Sequence, residues 1–327
     1  MDLRGLEQTT RELFPGWGGE ALDLEIIEKG GSGRVFVRVT PASGASVIVM
    51  HYTADRPDNL RFAAITDFLE RQKIAAPRIV QRREGEGLLW VEDLGRNDLQ
   101  ALANEPWEVR RPAYQAAFRV VTGLHRCHEA APPDHLPPME PGFDEALYEW
   151  EQGYFLTHCV ERFGSAGLAS ALREASPLRE LREELAAAPR ALLHRDFQST
   201  NVMLIGSVAY LIDYQGMRWG LPAYDLASMI YDPYAPFTES EREDLIADTF
   251  ALASASPEAL DLDAFRRRLV QCATQRLMQA LGAYGFLSAV KGKTEFLQHI
   301  PVAKERLGRL GLEPGGLPML SEVLERL

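Results

Sequence analysis

Cysteine is scarce: the 327 residues include three, Cys127, Cys159 and Cys272, far apart and without a CxxC pair. That spacing excludes a disulfide framework and the usual zinc motifs. No stretch approaches 18 uninterrupted apolar residues, so no membrane-crossing helix is expected. The opening MDLRGLEQTTRELF lacks an apolar core of signal-peptide length, and a reducing, cytoplasmic setting is the expectation. Basic charge is also short: 35 Lys and Arg stand against 47 Asp and Glu, a formal net charge of −12. A nucleic-acid groove needs a basic surface, so no nucleic-acid partner is expected, and no protein partner is evident. The balance remains compatible with a metal-bound nucleotide, or with a neutral or cationic small substrate, in one cleft.

What is present is ordinary for a globular chain, 46% apolar and 25% charged residues, and is long enough for two lobes with their own cores. The segments LDLEIIE and RVFVRVT alternate, and SVIVM is a short apolar run; glycine-rich turns separate them. From Pro57, Leu60, Ala64, Ile65, Phe68 and Leu69 share a helical face. AAPRIVQR and GLLWVEDLG read as two further strands. The order β-β-β-α-β-β closes near Gly95, which divides the chain into lobes 1–95 and 96–327. Helices are expected near 109–130, 143–163, 166–187, 239–254, 261–283 and 302–310. One block interrupts them: LLHRDFQSTNVMLIGSVAYLIDYQ reads as strand, loop, strand, turn, strand.

That block carries the chemistry. A single Asp or Asn in a loop is most simply a turn former. Here Asp196 is followed by Asn201, and a hairpin then ends on Asp213. Two carboxylates and an amide oxygen brought together suit a hard cation such as Mg²⁺. The spacing H-R-D-x-x-x-x-N is that of a kinase catalytic loop. Phosphoryl transfer needs one carboxylate to orient a hydroxyl and two oxygen ligands for the metal on the nucleotide. EKGGSGRVFVRV places Gly30, Gly31, Ser32, Gly33 and Arg34 between two strands, where backbone N–H groups can lie over phosphates.

The chain resembles the aminoglycoside phosphotransferase / choline kinase-like family, whose usual motif is H-G-D-x-x-x-x-N followed by I-D-[FWY]. HRDFQSTN and LIDYQG stand at those places, and YDLASMIYDPY and QRLMQALGAYGFL look closest to the N-acetylmuramate/N-acetylglucosamine anomeric kinase branch. The resemblance implies an α+β, bilobal, protein-kinase-like fold with a β-rich N-lobe and a mainly helical C-lobe. It implies ATP and Mg²⁺ as cofactors and a small-molecule sugar as substrate, phosphorylated at its anomeric hydroxyl. By the same resemblance Asp196 is the catalytic base, and Asn201 and Asp213 are the metal ligands. His194 and Arg195 brace the loop, Asp225 anchors it, and Glu92, Asp93 and Leu94 form the adenine-binding hinge through their main chain.

Gln198, Asp232, Tyr148 and Trp150 are candidates for substrate contact. A neutral amide at Gln198 suits sugar hydroxyls better than an amine. Met50 occupies the strand position where protein kinases carry a lysine, leaving Arg34 to meet the phosphates. The alternatives are an aminoglycoside or amino-alcohol kinase and, from another class, an ATP-binding pseudokinase or scaffold. A cationic substrate would call for a carboxylate cluster, and TESERED at 238–244 is its best candidate.

Overall fold

A computed structural model describes residues 2–27, 33–130 (128–130 by backbone alone), 135–254 and 260–327. Helix α1 (Leu3–Leu13) is capped by Asp2, whose carboxylate accepts the Arg4 N–H. The strand-first reading of the small lobe omits this helix. Strands β1 (Leu22–Ile27), β2 (Val35–Pro41) and β3 (Val47–His51) precede α2 (Pro57–Arg71), and β4 (Ile79–Arg83) and β5 (Leu88–Glu92) follow it. They form one antiparallel sheet in the order β1-β2-β3-β5-β4.

Side chains alternate across that sheet with period two. Val47, Val49, Leu88 and Trp90 point to one face and pack with Leu6 of α1. The Trp90 indole N–H donates to Thr10 Oγ1 at 2.9 Å, which fixes α1 over the sheet. Met50, Leu89 and Val91 point to the other face and join Phe62 and Phe68 of α2. This second face is continuous with the main core, which reaches Leu324. We propose the lobe division at 95/96 as a change of architecture, made across an unbroken core.

The remainder is mainly helical. It comprises α3 (Trp107–Ala130), α4 (Glu145–Phe155), a π-helical turn (Leu156–Val160), α5 (Glu161–Phe163), α6 (Ala166–Arg173) and α7 (Ser176–Ala187). The single helix expected over 166–187 is thus two, because Pro177 lacks an N–H and disfavours helix before it. After these come α8 (Pro222–Ile230), α9 (Glu239–Ala253), α10 (Leu262–Ala289), α11 (Ile300–Leu310) and α12 (Pro318–Leu324). Between α7 and α8, β6 (Ala191–Leu193) pairs with β9 (Arg218–Gly220), while β7 (Val202–Ile205) and β8 (Val208–Leu211) form a hairpin. Among the described residues no helix is long and apolar enough to cross a membrane.

Candidate active site

Strand β6 ends at Leu193 and delivers the polar loop. Asp225, in the first turn of α8 and wholly buried, holds the loop's start. Its two oxygens accept the backbone N–H groups of His194 and Arg195, each at 2.8 Å, and His125 Nε2 lies 2.9 Å from Oδ2. Arg195 has φ +78°, a left-handed conformation that costs an L-residue about 1–2 kcal/mol. Glycine, usual at this place in the resembled motif, adopts it freely. His194 Nε2 is 2.9 Å from the Ile212 carbonyl, so that nitrogen carries the proton and ties the loop to the residue before Asp213.

Asp232 secures the other end. Its Oδ2 accepts the Ser199 N–H at 2.7 Å and the Ser199 hydroxyl at 2.6 Å, and Oδ1 accepts the Tyr234 N–H at 3.0 Å. Burial pushes its pKa up, against these hydrogen bonds. The substrate contact expected of Asp232 is therefore corrected: the side chain is fully enclosed and spent on the loop. Tyr148 is likewise enclosed, stacked on Phe143 with centroids 5.0 Å apart, and is a core residue. Trp150 is 56% exposed and stacks on Tyr154.

Val202 pairs with Leu211 across the β7–β8 hairpin, and the Ile212 N–H donates to the Asn201 carbonyl at 3.0 Å, which sets Asn201 opposite the residue before Asp213. The Asn201 amide donates Nδ2–H to the Asp196 carbonyl at 2.9 Å, which turns Oδ1 away as an acceptor. Asp213, also left-handed at φ +64°, keeps its side chain 41% exposed. Its Oδ1 accepts from Arg34 at 2.7 Å and from Gln215 at 3.1 Å. Among the described residues no cluster of three His, Cys, Asp or Glu could hold a metal. The Asn201 amide oxygen and the Asp213 carboxylate are hard-oxygen donors of the kind that would hold Mg²⁺ beside nucleotide phosphates.

Cations surround Asp196. Arg195 Nη1 lies 2.6 Å from its Oδ2, and Arg276 Nη2, from α10, lies 3.5 Å from Oδ1. Burial alone would raise this carboxyl, but Arg195 and Arg276 outweigh it and hold the pKa at about 2. Arg276 also donates to Gln198 Oε1 at 3.2 Å, while Gln198 Nε2 donates to Thr200. Gln198, Ser228, Tyr231, Arg276 and Tyr284 line a small cavity of about 10 Å³, room for one water. Glu151 of α4 lies beneath, wholly enclosed, with Gln275 donating to Oε2 at 3.1 Å; burial pushes its pKa up.

On the nucleotide side, Gly30, Gly31 and Ser32 lie outside the described residues. Gly33 has φ +70°. The Arg34 side chain is 3% exposed and turns inward to Asp213, rather than standing on an open loop. Met50 is fully buried between Phe36 and Leu89, so no lysine stands at that position on β3. Asp93 is clamped by Arg38 at 2.6 Å and Ser46 at 2.6 Å. Glu92 pairs with Arg78, and Leu94 is buried. These three side chains are thus engaged within the protein.

The carboxylates of TESERED are paired, Glu239 only with Arg242 of its own helix. Glu241 pairs with Arg110, Asp244 and Asp248 with Arg111, and Glu243 with Arg266. These carboxylates dock α9 against α3 and α10. Residues the sequence reading left out of the site are His125, Ser199, Arg218, Glu151 and Arg276. The signal for the last was faint: Arg276 stands among Gln271, Thr274, Gln275 and Gln279, polar residues on a buried helix.

Comparison with known proteins adds three findings. The sequence pattern of the phosphotransferase enzyme family matches residues 23–265. An N-acetylmuramate/N-acetylglucosamine kinase from Neisseria meningitidis serogroup B is 24% identical over 93% of this chain and 90% of that protein. Among solved structures, a choline/ethanolamine kinase family protein from Mesorhizobium loti superposes with a TM-score of 0.63 at 16% identity, covering 98% of each chain.

Proposed function

The chain belongs to the phosphotransferase enzyme family and transfers a phosphoryl group to a hydroxyl acceptor, and from that premise we propose that the acceptor is the anomeric hydroxyl of an N-acetylated amino sugar. ATP, held with Mg²⁺, is the proposed donor. Asp196 orients the attacking hydroxyl and takes its proton. Asn201 Oδ1 and Asp213 carry the metal, which supplies charge neutralisation on the phosphates when bound. Arg34, already at Asp213, takes the place of the missing strand lysine.

One observation carries the choice of acceptor: the groups around Asp196 are arginines, with Arg195 at 2.6 Å and Arg276 at 3.5 Å. A cationic aminoglycoside or choline would meet like charge there, which disfavours its binding. Within the acidic run 238–244, Glu241, Glu243 and Asp244 are each paired with an arginine of a neighbouring helix. Gln198, a neutral amide beside the base, suits sugar hydroxyls. The name of the Neisseria relative supports the same class. The test is ATP consumption across free N-acetylated hexosamines, aminoglycosides and amino alcohols. Turnover of the free sugars above the cationic acceptors is expected; preference for a cationic acceptor would overturn the reading.

A further inference from the structure

Arg218, on β9, is the exception among the arginines that surround the site. Arg195 and Arg276 face Asp196, Arg34 faces Asp213, Arg38 faces Asp93, and Arg61 faces Glu140. None of the ion pairs among the described residues includes Arg218. Its Nε donates to the Gly216 carbonyl at 3.2 Å, and its guanidinium carbon lies 5.4 Å from the centre of the Phe143 ring. These two contacts fix the plane of the group and leave both terminal nitrogens without a carboxylate.

The position is next to the reaction. A Cβ placed on Gly216 would stand 3.7 Å from Arg195 Cδ and 3.8 Å from Asp196 Oδ2. Arg218 is thus anchored on the residue that backs onto the proposed base. The half-buried guanidinium carries an electrostatic cost: burial and the neighbouring Arg195 pull its pKa down, against Glu140, Asp196 and Glu151. A charged group kept there without a partner is set to receive an anion. A planar guanidinium whose Nη1–Nη2 edge carries no carboxylate matches an incoming one in a bidentate pair. The phosphate end of the cleft already has Arg34 at Asp213, whereas Arg218 lies against Phe143 and Gly216 of the C-lobe.

We propose that Arg218 is a specificity residue that binds a carboxylate on the acceptor sugar, such as the lactyl ether acid that distinguishes N-acetylmuramate from N-acetylglucosamine. The inference rests on the amino-sugar reading above. It adds that this enzyme selects the acidic sugar over the neutral one through β9.

The experiment measures KM and kcat of the full chain and of Arg218→Gln and Arg218→Lys, with N-acetylmuramate, with N-acetylglucosamine and with ATP. Arg218→Gln is expected to raise KM for the acidic sugar by about tenfold or more relative to KM for the neutral one, as loss of a charge-assisted pair requires. Arg218→Lys should recover part of that loss, and KM for ATP should hold. Equal changes for both sugars, or no change for either, overturn the role of Arg218 while the amino-sugar reading stands. A rise in KM for ATP with both sugars overturns it in favour of a phosphate contact. If the unsubstituted enzyme turns over neither sugar, the amino-sugar reading fails and this assignment fails with it.

Discussion

An aspartate held at a pKa of about 2 is a weak proton acceptor, yet that is the state in which Arg195 and Arg276 keep Asp196. A loose phosphoryl-transfer transition state asks for little proton removal before the phosphorus–oxygen bond breaks, so orientation by the carboxylate matters most. Asp196→Asn should therefore lower kcat by about 10²–10⁴-fold, with ATP affinity retained in equilibrium titration. Near-normal kcat would remove Asp196 from the role. The sign of the pH effect follows from the depressed pKa. The ionised form is favoured in the fold, so its contribution to stability is present above the ordinary aspartate value of about 4 and is lost as pH falls through about 2. Arg195→Gly keeps the left-handed backbone comfortable and removes the nearer cation. The acid limb of the kcat/KM profile should then move up, toward about pH 4. An unmoved limb would mean that Arg195 does not set the charge on Asp196. Asp213→Ala should abolish the Mg²⁺ dependence of nucleotide binding, read by titrating nucleotide with and without the metal; a dependence like the parent's would place the metal elsewhere.

Elements bring these residues together through close backbone approach. Helix α10 delivers Arg276, and its glycines let it lie on the π-helical turn 156–160. A Cβ on Gly285 would stand 1.9 Å from the His158 carbonyl oxygen, so no side chain fits without parting the two. Gly285→Ala should cost about 1–3 kcal/mol, seen as a lower Tm, and should reduce activity by shifting Arg276. A Tm equal to the parent's would show that the contact yields. The small-lobe strands were legible because period-two alternation and glycine turns are local signals. The break at Ser176 was hidden by a helical pattern that continues on both sides of Pro177. β9 was missed because RWG is too short to carry a period, and its partner β6 lies 29 residues upstream at the Ala191–Gly220 end, outside any local window. The catalytic loop was legible as spacing, while its supports, Asp225 with His125 and Asp232 with Ser199, are joined only by the fold.

At the scale of the whole molecule, a formal charge of −12 coexists with a cleft whose base is ringed by arginines. Net charge is a sum over surface and says little about one site. Arg195, Arg218 and Arg276 come from the loop, from β9 and from α10, so their convergence is a property of the fold rather than of any stretch of sequence. In the proposed reading the same convergence disfavours acceptors that carry amines, and it leaves the hydroxyl attacked as the central claim. The anomeric hydroxyl is more acidic than the other sugar hydroxyls, which suits a base as weak as Asp196. The most direct measurement pairs a free N-acetylated hexosamine with its 1-O-methyl glycoside, each incubated with ATP and Mg²⁺ and followed by phosphorus NMR. Only the free sugar should react, giving an acid-labile 1-phosphate. Equal phosphorylation of the glycoside, which lacks the C1 hydroxyl, would contradict the anomeric assignment.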